Sequence, residues 1–182
     1  MMSVKDEHPV SRIGNERNPR LIILLLNPAG CPEYYLRFPE YTMRKDKVYK
    51  PKGMHFCDVR KYCEWWDKVL YVTDEYIDDS DVLALEYYPY HTPGACSETN
   101  NKSKWNDFAH TCLAENKDLL KKHIANGVPV FGYYWGNWFN EKDIPELSKC
   151  LHFKSKGWQS QKLKDLKNFM DKHYTKNPNV HD

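Results

Sequence analysis

A chain of 182 residues and 21.7 kDa is long enough for one well-buried domain and short for two. Its 27 basic and 25 acidic residues leave a net charge of +2, which excludes any argument for a nucleic-acid partner from overall charge, so any basic surface has to be local. No run approaches the roughly 20 apolar residues of a membrane span, and the polar start lacks the apolar segment of a secretory signal. The six cysteines, at 31, 57, 63, 96, 112 and 150, form no CxxC pair and no zinc-like Cys/His spacing, so reduced thiols are the reading that fits. The expectation is a soluble, cytoplasmic monomer without metal or cofactor.

Residues 1–20 carry Lys5, Arg12, Arg17 and Arg20 among polar residues and read as a polar N-terminal arm, ahead of one domain over 21–182. The run from Leu21 to Leu26 is apolar without alternation, which suits a strand covered on both faces. Pro28 and Gly30 then force a turn, leaving Asn27 at the carboxyl end of a buried strand, the edge at which open α/β sheets bind ligands. Residues 31–56 have no sustained period and read as a long insertion over that edge. A helix is predicted over 58–77, capped by Asp58, with Tyr62, Trp65, Trp66, Val69, Leu70 and Thr73 on one face.

The run from Val82 to Glu86 repeats the opening pattern, a strand followed by the polar, proline-punctuated loop Tyr87, Tyr88, Pro89, Tyr90 and His91. A helix beginning near Trp105 ends at Asn126 and Gly127. A third strand is predicted over 128–135, a fourth over 150–153, and a final helix over 160–174. Strands alternating with helices at this spacing predict a three-layer α/β/α domain with a four-stranded, mostly parallel central sheet, its loops converging on one edge.

Those loops hold no GxGxxG, no GxxxxGK[ST] and no GxSxG, so dinucleotide, nucleoside-triphosphate and serine-hydrolase chemistry lack their usual cradles. What the loops hold is Asn27, Glu86, Tyr90, His91, Asn137 and His152 with aromatic and lysine neighbours, a set suited to binding a base and a phosphate backbone. Aromatic residues make up 14% of the chain, and many stand beside Pro, Gly, Asn or Lys rather than inside periodic runs, so they divide between a core and a groove.

Three stretches resemble the uracil-DNA glycosylase superfamily. Leu26-Asn27-Pro28-Ala29-Gly30 resembles its water-activating motif, with Ala29 inserted before the glycine. Val82-Leu83-Ala84-Leu85-Glu86 is similar to its second strand, which in many members ends in an Asn that reads the flipped base. Val130 through Asn137 is similar to its third strand with a Trp-Gly ending. The last expected motif is met only by His152-Phe153-Lys154-Ser155, which keeps His and Ser without proline.

The resemblance implies a DNA glycosylase that flips a nucleotide of single- or double-stranded DNA out of its stack and excises the base by hydrolysis. In it, Asn27 orients the attacking water and His152 or His91 stabilises charge on the leaving base. Tyr35, Tyr87 and Tyr90 stack the base beside Glu86. Pro28, Ala29, Gly30, Lys102, Lys104, Asn137, Lys154, Ser155 and Lys156 hold the DNA. A carboxylate at Glu86 accepts from the exocyclic amine of cytosine and clashes with O4 of uracil, so the expected target is a modified cytosine with a bulky 5-substituent, which suits defence against phages with modified DNA. Two alternatives stay open at Glu86: it points away from the pocket, or it is protonated. The alternatives for the chain are a uracil or mismatch glycosylase of base-excision repair and an inactive nucleic-acid-binding module.

Overall fold

In the computed structural model, strand β2 (Leu21–Leu25) is the centre of the sheet, and all five of its residues are buried. The residues described are 11–26, 56–60, 63–90, 100–133, 137–138, 140, 142–149 and 159–178. The sheet has the order β1-β3-β2-β4, with β1 at Arg12–Gly14, β3 at Val82–Glu86 and β4 at Val130–Gly132. Strands β3 and β4 both run parallel to β2, with Leu25 opposite Glu86 and Leu24 opposite Gly132. Their carboxyl ends therefore lie at one edge, as the strand-loop rhythm predicts.

The sheet is mixed rather than wholly parallel, because β1 pairs antiparallel with β3, Ile13 opposite Ala84. This strand falls within the stretch read as a polar arm. Its one apolar residue, Ile13, is buried, and three residues between charged and polar neighbours are too few to show a period. Gly14 makes the close approach possible: at φ 96° it has no Cβ, and a side chain there would collide with the Val82 carbonyl and the Phe56 ring.

Alternation along β2 divides the core into two clusters. Leu21, Ile23 and Leu25 join Val82, Ala84 and Phe131 in the first, with Trp66 and Leu70 of helix α2 (Glu64–Asp74) and Leu166, Phe169 and Met170 of helix α4 (Gln159–His173). Ile22, Leu24 and Leu26 join Leu83, Leu85 and Val130 in the second, with Ala109, Leu113 and Leu120 of helix α3 (Asp107–Ala125). A strand buried on both faces has no polar side to show solvent, which is why its sequence does not alternate. Each such Leu or Ile contributes about 1.5–3 kcal/mol by leaving water.

The helix predicted over 58–77 is broken. A short helix α1 (Phe56–Val59) precedes it, and α2 starts only after Cys63, whose backbone is extended at φ −131° and whose side chain makes no cap. Cys63 is buried in the first cluster, so packing rather than capping sets this boundary. Of the face expected of the helix, Trp66, Val69, Leu70 and Thr73 are buried and Trp65 is partly buried, while Tyr62 lies outside the described residues. Helix α3 is capped by Asn106, whose side chain accepts from Ala109 N at 2.9 Å, and ends at Asn126, with Gly127 at φ 78°. The third strand is shorter than predicted, although Tyr133 N still donates to Leu24 O at 2.9 Å. The fourth strand predicted over 150–153 lies outside the described residues. No described helix is long and apolar enough to cross a membrane.

Candidate functional site

The end of β2 is held from both sides. Tyr87 N donates to Leu25 O at 3.0 Å and Tyr88 N to Leu26 O at 2.8 Å, so the parallel ladder continues past β3. The indole Nε1 of Trp138 also donates to Leu25 O at 2.8 Å. Trp138 is fully buried, and a buried indole N–H has to find an acceptor. The backbone one and two residues before Asn27 is thereby fixed by three donors. Sequence reasoning missed Trp138, whose only signal was a second tryptophan just beyond the third strand.

Glu86, the last residue of β3, is 3% exposed. It follows Val82 and Ala84 by alternation, so its side chain leaves the sheet on the side of the first cluster, beside Leu25. Its backbone is clamped: Glu86 N donates to Ser11 O at 2.9 Å, and the amide of buried Asn116 on α3 donates to Glu86 O at 3.0 Å and to Ser11 O at 2.9 Å. The carboxyl Oε2, by contrast, has no hydrogen-bond partner among the described residues. Burial pushes this carboxyl well above the usual carboxylate range, which favours the neutral acid over the ionised form. A neutral acid both donates and accepts.

On that same side Tyr133, two residues past Phe131, stands edge-on to Trp65 at 5.3 Å and to Phe131 at 5.0 Å. Its hydroxyl is buried without a partner, and burial followed by the nearby Asp165 charge raises its pKa. Lys162 of α4 lies 6.0 Å from its ring centroid. Neither Tyr133 nor Lys162 stood out in the sequence.

Tyr87 and Tyr90 belong to the other side. Both are buried in the second cluster, Tyr87 edge-on to Trp105 at 5.4 Å and to Trp138 at 5.5 Å. The Tyr90 hydroxyl accepts from the Asn106 amide at 2.7 Å. The groove-lining aromatics expected here are core aromatics, and strand alternation separates Tyr87 from Glu86 although they adjoin in sequence. Lys102, half-buried in a 3-10 turn over Lys102–Lys104, reaches to 5.2 Å from the Tyr87 ring centroid, while Lys104 is exposed. Asn137 donates to Asn100 Oδ1 at 3.0 Å. Asn27, Pro28, Ala29, Gly30, Tyr35, His91, His152, Lys154, Ser155 and Lys156 lie outside the described residues.

A depression of about 350 Å³ lies near the opposite edge, lined by Arg60, Asp74, Asp78 and Asp79. Arg60 pairs there with Asp74 at 2.9 Å and Asp79 at 3.6 Å, so its charge is already matched. Among the described residues no group of His, Cys, Asp and Glu is arranged to hold a metal ion. Compared with family models, curated proteins and solved structures, the chain matches none.

Proposed function

We propose that the chain is a DNA glycosylase on a three-layer α/β/α domain of the uracil-DNA glycosylase type, which flips out and excises a modified cytosine. The observation that carries this reading is Glu86: a buried carboxyl with an unpartnered oxygen at the end of the strand paired with the one that leads to Asn27. An orphaned buried carboxyl weakens a fold, and a base edge is a ligand that satisfies it. The parallel order β3-β2-β4 supports the reading, as do helices α2 and α4 packed in one core cluster and α3 in the other. As a neutral acid, Glu86 accepts from the exocyclic amine of cytosine and donates to its ring N3.

Asn27 orients the attacking water in this proposal, and the lysines of the edge hold phosphates. Defence against phages whose DNA carries bulky 5-substituted cytosine is the role that fits such a target. A second reading, excision of uracil, gains from the same burial, since a neutral acid also pairs with O4 and N3–H of uracil. The test is to incubate the protein with oligonucleotides carrying uracil, hypoxanthine, and plain, hydroxymethylated or glucosylated cytosine, then cleave abasic sites with alkali. Strand cleavage at a modified cytosine supports the proposal. Cleavage at uracil alone selects the second reading, and DNA binding without cleavage of any substrate leaves a binding module.

A further inference from the structure

We infer that Glu86 is the proton donor that lets cytosine leave, its carboxyl O–H protonating N3 of the base as the glycosidic bond breaks. This rests on the glycosylase reading above and assigns Glu86 a chemical step beyond recognition. The geometry is the burial of the side chain on the first-cluster side of the sheet, one oxygen unpartnered, with the backbone of the residue clamped by Ser11 and Asn116. Oε2 there has no hydrogen bond to satisfy it among the described residues, and transfer of the ionised form from water into such a place is costly.

Glu86 gives its proton to N3, and the C1′–N1 electron pair leaves with the base, which departs as neutral cytosine rather than as an anion. A water oxygen bonds to C1′, and the proton it loses restores the Glu86 acid. Uracil has no basic ring nitrogen to protonate, since its N3 already carries a proton. The same carboxyl is therefore worth more to a cytosine target, where general acid catalysis supplies about 10²–10⁴-fold.

Groups facing this end of the sheet from the neighbouring elements include no cation acting on the carboxyl among the described residues. From β1 and α3, Arg12 pairs with Glu115 at 2.7 Å, and burial pushes the Cys112 thiol up to about 12. From beyond β4, the Tyr133 hydroxyl is shifted upward, with Lys162 and Asp165 of α4 beside it. From α2, Cys63 is buried and Glu64 pairs with Lys68 at 2.6 Å; His110 of α3 lies against Trp105 on the other side.

The test is single-turnover excision of the modified cytosine and of uracil by wild type and Glu86→Gln, with Kd for each oligonucleotide measured alongside. Glutamine keeps the donor and acceptor of a neutral acid but has no proton to give. The expected result is a loss of 10²-fold or more in the rate on cytosine with Kd within about threefold, a far smaller loss on uracil, and a wild-type rate on cytosine that falls as rising pH ionises Glu86. An unchanged Tm for the variant excludes misfolding as the cause. Wild-type rates of cytosine release by Glu86→Gln overturn the inference and leave the glycosylase standing. Loss of binding in step with rate reduces Glu86 to recognition and overturns it as well. No base release from any substrate by the wild type overturns both.

Discussion

Burial raises the Glu86 carboxyl well above its ordinary value, so the folded chain holds that proton more tightly than the unfolded chain does. A carboxyl raised above its ordinary value near 4.5 binds more protons folded than unfolded once the pH exceeds that value. Its contribution to stability is thus full below about pH 4.5 and is lost as pH rises through the folded pKa, at up to about 1.4 kcal/mol per pH unit. Urea denaturation of wild type and Glu86→Gln at pH 5 and pH 8 is expected to show the variant gaining on the wild type at the higher pH. A constant difference means that the carboxyl is ionised in the fold. Tyr133 offers a companion measurement free of titration near neutrality. Its hydroxyl is buried without a partner, so Tyr133→Phe removes an unpaid desolvation and is expected to stabilise by about 1 kcal/mol, or roughly 2–4 °C in Tm for a chain of this size. A lower Tm in the variant shows that the hydroxyl has a partner in solution.

The elements around the site depend on two side chains that reach out of their own segments. Asn106 caps α3 through Ala109 N and donates to the Tyr90 hydroxyl, joining the helix start to the loop after β3. Asn106→Ala is expected to cost about 1–2 kcal/mol, and Asn106→Asp, which keeps the cap and loses the donor, clearly less. Chemical denaturation of the two variants separates the contributions; equal losses mean that the cap does not matter. Trp138→Phe removes the indole bond to Leu25 O but leaves that carbonyl its Tyr87 donor, so the fold survives. Under the proposed function the loosened end of β2 moves Asn27, and single-turnover base release is expected to fall tenfold or more with DNA binding retained. Release at the wild-type rate disconnects Trp138 from the site.

The same elements show what a sequence makes legible. The unalternating runs at Leu21 and Val82 gave away two buried parallel strands. A three-residue edge strand has no room for a period, and a helix boundary set by burial of Cys63 leaves no capping signal to read. Of the candidate site, the place of Glu86 at the end of a buried strand followed from the apolar run before it. Legible only in the fold is the upward shift of its carboxyl, because that depends on which neighbours tertiary packing supplies or withholds. The opposite sides taken by Glu86 and Tyr87 are implicit in strand periodicity; the neighbours each side meets are not.

Taken whole, the molecule has a net charge of only +2, so under the proposed function DNA binding has to come from local lysines. Lys102 belongs to that edge through its approach to Tyr87, whose backbone bonds to the end of β2. Lys154 and Lys156 follow the His152 segment in the sequence. If these three each neutralise one phosphate, log Kd plotted against log salt has a slope of about 2.7 from them on duplex DNA and about 2.1 on a single strand, since each contact contributes about 0.9 or 0.7. Replacing all three by alanine is expected to remove that slope while leaving the ranking of modified, plain and uracil-bearing oligonucleotides unchanged, because phosphate contacts position and base contacts specify. The measurement is a salt titration of binding to duplex and single-stranded oligonucleotides of one sequence, with wild type and triple variant. An unchanged slope in the variant moves the phosphate contacts to other residues, and a changed ranking makes at least one of the three lysines a reader of the base.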